Sequence, residues 1–114
     1  MKNKLLLLAL LFLVNFSVHA QRVNVYPKNS YVKENLDLNA VASIFEESTD
    51  LADFEQKLNY PDDRISNLDL NDDSKVDYLK VSDKIVNNIQ IIKIQSEVSP
   101  NIYEDVASIN IILN

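Results

Sequence analysis

Oxygen-bearing side chains recur at alternate positions of one acidic segment, DLNDDSKVD, at residues 69–77. They occupy positions 1, 3, 5 and 9, as in the first three-quarters of the twelve-residue calcium loop. Alternate residues of a tight loop point the same way, so Asp69, Asn71 and Asp73 can converge on one cation. The backbone carbonyl of Lys75 would add an oxygen, and Asp77 would bind directly or through water. The segment therefore predicts a calcium site formed by these five residues.

The segment departs from the calcium-loop pattern at two positions and in the element after it. Position 12 is Lys80, where the pattern has a bidentate Glu, and position 6 is Ser74, where it has Gly. A strand-like sequence, VDYLKV, stands in place of the exiting helix of an EF-hand. The sequence leaves open which other acid donates a missing oxygen: Asp62, Asp63, Asp72, Asp83 or Asp105. It also leaves open an Asx-type turn whose side chains cap their own backbone.

The composition excludes several kinds of catalytic site. The chain has no Cys, and its one histidine, His19, lies in the first 20 residues. The rest of the chain therefore has no Ser-His-Asp or Cys-His nucleophile, no usual zinc site and no disulfide. Adjacent acids such as Glu46 and Glu47 are typical of solvated faces, because glycosidase chemistry needs two carboxyls across a cleft. We predict that the protein is not an enzyme.

The first 20 residues have the pattern of an export signal. Lys2 and Lys4 precede an unbroken run of 10 apolar residues at 5–14, and the segment ends at Ala20. A membrane-spanning helix needs about 20 apolar residues, twice the length of this run. We predict a signal peptide at residues 1–20, a periplasmic or secreted protein, and no membrane insertion after cleavage.

The rest of the chain is strongly acidic. Lys2 and Lys4 are two of the 11 Lys+Arg residues, so cleavage leaves 9 basic against 17 acidic side chains, a net charge of −8. Because such a domain meets the phosphate backbone with like charge, nucleic acid is not an expected partner.

The chain also has no Gly, so turns at positive φ must use Asn, Asp or Ser. Each such residue costs roughly 1 kcal/mol of stability relative to Gly.

Two short amphipathic helices are predicted in the first half of the chain. Apolar residues recur at helical spacing after Asp37 and again after Asp50, and both residues are good N-caps. Pro61 marks the end of the second helix. We expect an extended lead-in segment at residues 21–34 and a folded domain at residues 35–114.

Strands are predicted in the second half. Runs rich in β-branched and aromatic residues occupy 76–81, 89–98 and 103–113, joined by polar breaks short enough for hairpins. A fourth strand is expected either at the edge, over residues 22–26, or near Leu68. The predicted fold class is α+β, with a two-helix hairpin packed on an antiparallel sheet of three or four strands.

The strand runs carry more apolar side chains than one covered face can hold. We expect some of them to face outward, where they form a partner surface or are covered by the N-terminal segment. The residues that cannot all share one covered side are Val76, Tyr78, Ile89, Ile91, Val106 and Ile112 on the one hand and Leu79, Val81, Ile92, Ile94, Ile109 and Ile111 on the other. Val76 is also expected to anchor the acidic loop to the core.

Three stretches together resemble a known group of proteins. NLDLNAVASIFEESTDLADFEQKLN, ISNLDLNDDSKVDYLKV and YEDVASINI are similar to a family of small exported Bacteroidota proteins with no assigned function. In that family the loop more often reads DLNNDG followed by VDY and a strand. The resemblance covers residues 35–111 and implies a fold and an exported location, but no activity. Its members extend further after the last strand, so we expect Asn114 to be an early stop.

These observations predict a non-enzymatic exported domain that acts as a binding or interaction module for an unidentified protein partner. Its acidic loop is expected to bind calcium. The alternative is an inhibitory or chaperone-like domain acting on an exported protease, which rests only on the order of helices followed by an antiparallel sheet.

Overall fold

The computed structural model describes residues 23–113, so the predicted signal peptide lies outside the described residues. The chain forms strand β1 (Val25–Pro27) and then helices α1 (Ser30–Asn35), α2 (Leu38–Glu47) and α3 (Leu51–Leu58). A 3₁₀ turn (Pro61–Asp63) leads to strands β2 (Leu79–Val86), β3 (Ile89–Ser99) and β4 (Ile102–Ile112). The predicted α+β class is confirmed. Over these residues, no helix has the length and apolar character needed to cross a membrane.

The two predicted helices begin where their capping residues placed them. Asp37 accepts a hydrogen bond from the Ala40 backbone N–H at 3.1 Å, and Asp50 accepts one from the Asp53 N–H at 2.7 Å. The helices pack through the rings of Phe45 in α2 and Phe54 in α3, whose centroids are 5.1 Å apart at an interplanar angle of 78°. This edge-to-face contact and the burial of both rings fix the helical hairpin.

The sheet has the order β1-β4-β3-β2, and each neighbouring pair is antiparallel. Strand β2 runs on to Val86, through residues whose polarity had predicted a connection. A two-residue turn, Asn87–Asn88, then joins β2 to β3 with φ values of 50° and 62°. Both residues adopt the left-handed region without glycine, as predicted.

The segment before Asn35 differs from the predicted extended lead-in. Its strand β1 supplies the fourth strand of the sheet, and helix α1 buries Val32 in the core at 1% exposure. The folded unit therefore begins before Asn35. The sequence did not predict this helix, because six residues are too few to show a periodic pattern. Leu68, the other predicted strand position, is a fully buried core residue outside the sheet.

A β-bulge changes the predicted faces of β4. Ile94 pairs with Ala107 but the next residue, Gln95, pairs with Asp105, so Val106 is an extra residue in the ladder. Val106 and Ile109 are both fully buried, so the bulge lets these two share the covered side, contrary to the prediction. Tyr78, Ile89 and Ile112 are exposed, so some apolar side chains of the strands do face outward.

Val76 does not anchor the acidic loop. Its side chain is 59% exposed, whereas Asp77 is 5% exposed, so the buried side of the chain starts one residue later than predicted. Leu79 and Val81 continue that buried alternation into β2. The physical reason is register: period-two alternation places Asp77 on the same face as Leu79.

Candidate functional site

The acidic loop leaves and re-enters the body of the protein at two fixed points. Leu68 is fully buried before it, and the Asp77 backbone N–H donates to the Leu68 carbonyl at 2.8 Å after it. Leu79, fully buried, follows at the start of β2. The segment between these points is therefore a closed loop that is anchored to the core at both ends.

Three carboxylates meet inside this loop. Oxygens of Asp69, Asp73 and Asp77 all lie within 4.8 Å of one another. Oxygens that share one Ca²⁺ at 2.3–2.6 Å lie at most about 5 Å apart, so one ion could contact all three carboxylates. The predicted convergence of these three side chains is therefore present in the structure.

The same carboxylates also organise the loop backbone. Asp69 accepts from the Asp73 and Ser74 N–H groups at 3.1 and 2.9 Å, and Asp73 accepts from the Lys75 N–H at 2.9 Å. The Leu70 N–H donates to Asp77 at 2.7 Å. The Asx-type interpretation is therefore also present. The two interpretations are compatible, because each carboxylate has about four lone-pair sites and uses only one or two of them here.

Asn71 and Lys75, the other two predicted ligands, are not part of the carboxylate cluster. The Asn71 side-chain amide nitrogen donates to the Val98 carbonyl at 3.0 Å and to Asp73 at 3.3 Å. Asn71 thus joins the loop to β3, and its oxygen would reach a shared cation only after the amide turns. The Lys75 carbonyl has no contact that tests its predicted role, which stays a prediction.

Asp77 is the buried member of the cluster. Burial raises the pKa of its carboxyl, and the charges of Asp69 and Asp73 raise it further, while the hydrogen bond from the Leu70 N–H lowers it. Such an environment disfavours three unneutralised carboxylates. A bound cation would offset both the burial and the repulsion.

Ser96 forms the floor of the site. It pairs with Leu79, which places it diagonally across the ladder from Asp77 on the same face of the sheet. Ser96 is fully buried, and its hydroxyl interacts with the Asp77 carboxyl and lowers the pKa of that group. This buried oxygen beside Asp77 is a further potential ligand.

The other acids considered as donors lie elsewhere. Asp83 accepts from Gln90, and Asp105 accepts from Gln95 and lies 3.9 Å from the Lys93 ammonium, both on the sheet. Between residues 23 and 113, no further His, Cys, Asp or Glu joins the three clustered carboxylates. A further ligand would therefore have to be a backbone or neutral side-chain oxygen or water.

Helix α3 holds the exit of the loop through contacts that the sequence pattern did not reveal. The Asn59 amide donates to the Leu79 carbonyl and accepts from the Leu79 N–H, each at 2.8 Å, in the manner of a neighbouring strand. Glu55 accepts from the Val81 N–H at 2.7 Å and from the Tyr78 hydroxyl. The hydrogen bond to Glu55 raises the pKa of Tyr78 to about 12. The one available signal was the spacing of Glu55 and Asn59, which places both on one helix face.

No protein-family model, no curated protein and no solved structure matches this chain. The resemblance of residues 35–111 to exported Bacteroidota proteins therefore stays a prediction.

Proposed function

We propose that this protein is a non-enzymatic, exported binding module whose acidic loop binds calcium. The observation that carries the proposal is the meeting of Asp69, Asp73 and Asp77 within 4.8 Å in a loop with buried ends. An affinity in the weak extracellular range, roughly 10⁻⁴–10⁻³ M, fits a site with three carboxylates and no bidentate Glu.

Burial and charge support a cation at this position. Asp77 is 5% exposed, and its carboxyl lies with two further carboxylates and beside the buried Ser96. A divalent ion neutralises this cluster. Calcium suits the site better than magnesium, because it accepts six to eight oxygens at irregular angles whereas magnesium demands a near-octahedral set.

Thermal unfolding in calcium and in chelator tests the metal site. Calcium at 100 times its Kd adds about 2.7 kcal/mol to the free energy of unfolding. For a domain of this size the midpoint rises by roughly 10–20 °C. The same concentration of magnesium should give a smaller rise.

A matched pair of variants separates the site from general charge effects. Asp73→Asn removes one clustered carboxylate but keeps an oxygen that can cap the Lys75 N–H, and it should abolish most of the calcium-dependent rise. Asp72→Asn removes an adjacent exposed charge outside the cluster and should retain that rise. Identical melting of all samples in calcium and chelator would leave the loop as an Asx-type turn.

The binding-module part of the proposal is supported by apolar side chains at the far end of the sheet. Ile85, Val86, Ile89 and Ile112 are exposed there, with Ile112 at 74%. Exposed apolar groups close together are typical of protein-contact surfaces. A partner captured by the wild-type protein and lost by Ile112→Lys would support this role. Equal capture by both proteins would argue against this surface.

Export and the inhibitory alternative have their own tests. Mass spectrometry of the protein recovered from outside the cytoplasm should give a chain that begins at Gln21. Retention of residues 1–20 would contradict the predicted cleavage.

Inhibition of an exported protease by the purified protein would favour the inhibitory or chaperone-like alternative over the calcium-dependent module.

A further inference from the structure

A cavity of about 580 Å³ lies between the end of α3, the 3₁₀ turn and residues 76–78. Its lining includes the buried side chains of Leu58 and Ile65. Its rim contains Tyr60, Val76 and Tyr78, which are 54%, 59% and 46% exposed. Volumes of roughly 300–1,000 Å³ with apolar walls are typical of sites for small ligands. The cavity adjoins the acidic loop but requires no metal, so it goes beyond the proposed function.

Arg64 gives this cavity its charge. It is the one basic residue in the described lining, and it forms no ion pair with any residue from 23 to 113. Its backbone is left-handed, with φ 48° and ψ 47°, a conformation that is costly for any residue with a Cβ. The neighbouring acids Asp62 and Asp63 are exposed on the 3₁₀ turn and do not line the cavity.

The remaining charged group in the lining does not cancel Arg64. Asp77 is 5% exposed, accepts the Leu70 N–H, and faces the acidic cluster. Arg64 thus lines the cavity together with aromatic and aliphatic side chains, and it also borders a second cavity that contains Lys33, Glu34 and Asp37. The exposed acids at positions 62 and 63 repel a dianion more strongly than a monoanion, so a singly charged ligand is favoured over a doubly charged one.

We propose that this cavity binds a small apolar carboxylate. The planar guanidinium of Arg64 pairs with the carboxylate, a geometry that allows two parallel hydrogen bonds. The rim residues Tyr60, Val76 and Tyr78 contact the apolar part of the ligand. The hydrogen bond from Tyr78 to Glu55 holds this part of the rim in place before the ligand arrives.

Titration followed by ¹H–¹⁵N NMR tests the proposal on the purified protein in chelator. The probe is N-acetyl-L-phenylalanine, and its matched control is N-acetyl-L-phenylalanine amide, which lacks the charge. The acid should bind with a Kd on the order of 1 mM and shift the amide signals of residues 58–67 and 76–78. The uncharged amide should bind about 10-fold more weakly, because it cannot form the charge-assisted pair.

Two variants assign the charge to Arg64. Arg64→Asn suits the left-handed backbone, removes the guanidinium, and should weaken binding of the acid about 10-fold. Lys84→Asn removes an exposed positive charge on β2 outside the cavity and should leave the affinity unchanged. A third probe, N-acetyl-leucyl-phenylalanine, distinguishes a peptide C-terminus from a free acid. Tighter binding of the dipeptide assigns the cavity to peptide ends, and equal or weaker binding assigns it to small acids.

Three results would overturn the proposal. They are equal binding of the acid and the amide, unchanged affinity in Arg64→Asn, and no shifts up to about 20 mM of the acid, well above the expected Kd. The comparison of acid with amide uses the wild-type protein, so it does not depend on the folding of a variant. Because the titration is run in chelator, its failure is distinguishable from a failure of calcium binding.

Discussion

The acidic loop and the Asn87–Asn88 turn solve the same local problem in different ways. Each reverses the chain with left-handed residues and no glycine, at Asp72 and Ser74 in the loop and at Asn87 and Asn88 in the turn. The turn is exposed and lies between two paired strands, since β2 ends at Val86 and β3 begins at Ile89. The loop instead folds around its own carboxylates.

This difference indicates that the Asn87–Asn88 turn only connects two strands, whereas the acidic loop can form a binding site. A turn that only joins two strands needs no buried charge, because backbone pairing on either side supplies its stability. Asp77, at the end of the loop, is 5% exposed and lies with the carboxylates of Asp69 and Asp73. This arrangement costs free energy in the absence of a cation. That cost is the physical argument that the loop is more than a connection.

The largest contrast between the two regions should lie in their anchors. Leu68→Ala removes a fully buried side chain at the start of the loop and should lower the free energy of unfolding by about 2–5 kcal/mol. Ile85→Ala, near the turn and 63% exposed, should cost less than about 0.5 kcal/mol. Urea denaturation measures both changes. Similar losses would mean that the loop is not anchored as described.

The exit of the loop should depend on Asn59 more than the turn depends on any side chain. Asn59→Ala leaves the N–H and carbonyl of Leu79 without their partner and should cost about 1–3 kcal/mol. Asn88→Ala, in the exposed turn, should cost about 1 kcal/mol through its left-handed backbone alone. Hydrogen exchange adds a local readout: the Leu79 amide should lose protection in Asn59→Ala and keep it in Asn88→Ala.

Glycine substitutions should distinguish backbone strain from metal binding. Ser74→Gly and Asn88→Gly both relieve a left-handed residue, at φ 66° and 62°, and should stabilise the protein in chelator by up to about 1 kcal/mol. Only Ser74→Gly should also tighten calcium binding, because it eases the sharp turn that brings Asp69 and Asp73 together. Calcium titration of the two variants measures this, and equal calcium affinities would remove the contrast between loop and turn.

The smallest effect concerns Asp53, an acid outside both regions. The hydrogen bond from the Thr49 N–H, and then the contact with Lys57, lower the pKa of Asp53 below its ordinary value of 3.8. Because its pKa is lowered on folding, Asp53 adds to the free energy of unfolding at pH values above its pKa in the unfolded chain. This contribution is lost as the pH falls through its pKa in the folded protein. Asp53→Asn should therefore lie slightly below wild type in urea midpoint at pH 7, with the gap closing below 3.8. A gap that widens in acid would contradict this assignment.

Local signals in the sequence predicted the parts of the fold that local chemistry controls. Asp37 and Asp50 cap helices because their side chains reach backbone N–H groups three residues away. The spacing of Asp69, Asp73 and Asp77 predicted their convergence because a tight loop turns alternate side chains inward. Each of these results needs only neighbouring residues.

The errors arose where distant residues decide. Val76 was expected to be buried because it is apolar, but the register of β2 on β3 gives that face to Asp77 and Leu79. Val106 turns inward because of a bulge that depends on the pairing of β3 with β4. Helix α1 has too few residues for a pattern and is defined by the packing of Val32.

The sequence alone determined the fold class, the two capped helices, the strand-rich second half and the acidic loop with its candidate ligands. Tertiary structure alone decided that Ser96 lies beneath Asp77, that Glu55 and Asn59 hold the edge of β2, and that Arg64 lines an apolar cavity. The physical reason is the range of the interactions. Caps and loop ligands act within a few residues of chain, whereas the contacts of Ser96, Asn59, Glu55 and Arg64 form only when separate segments of the chain pack together.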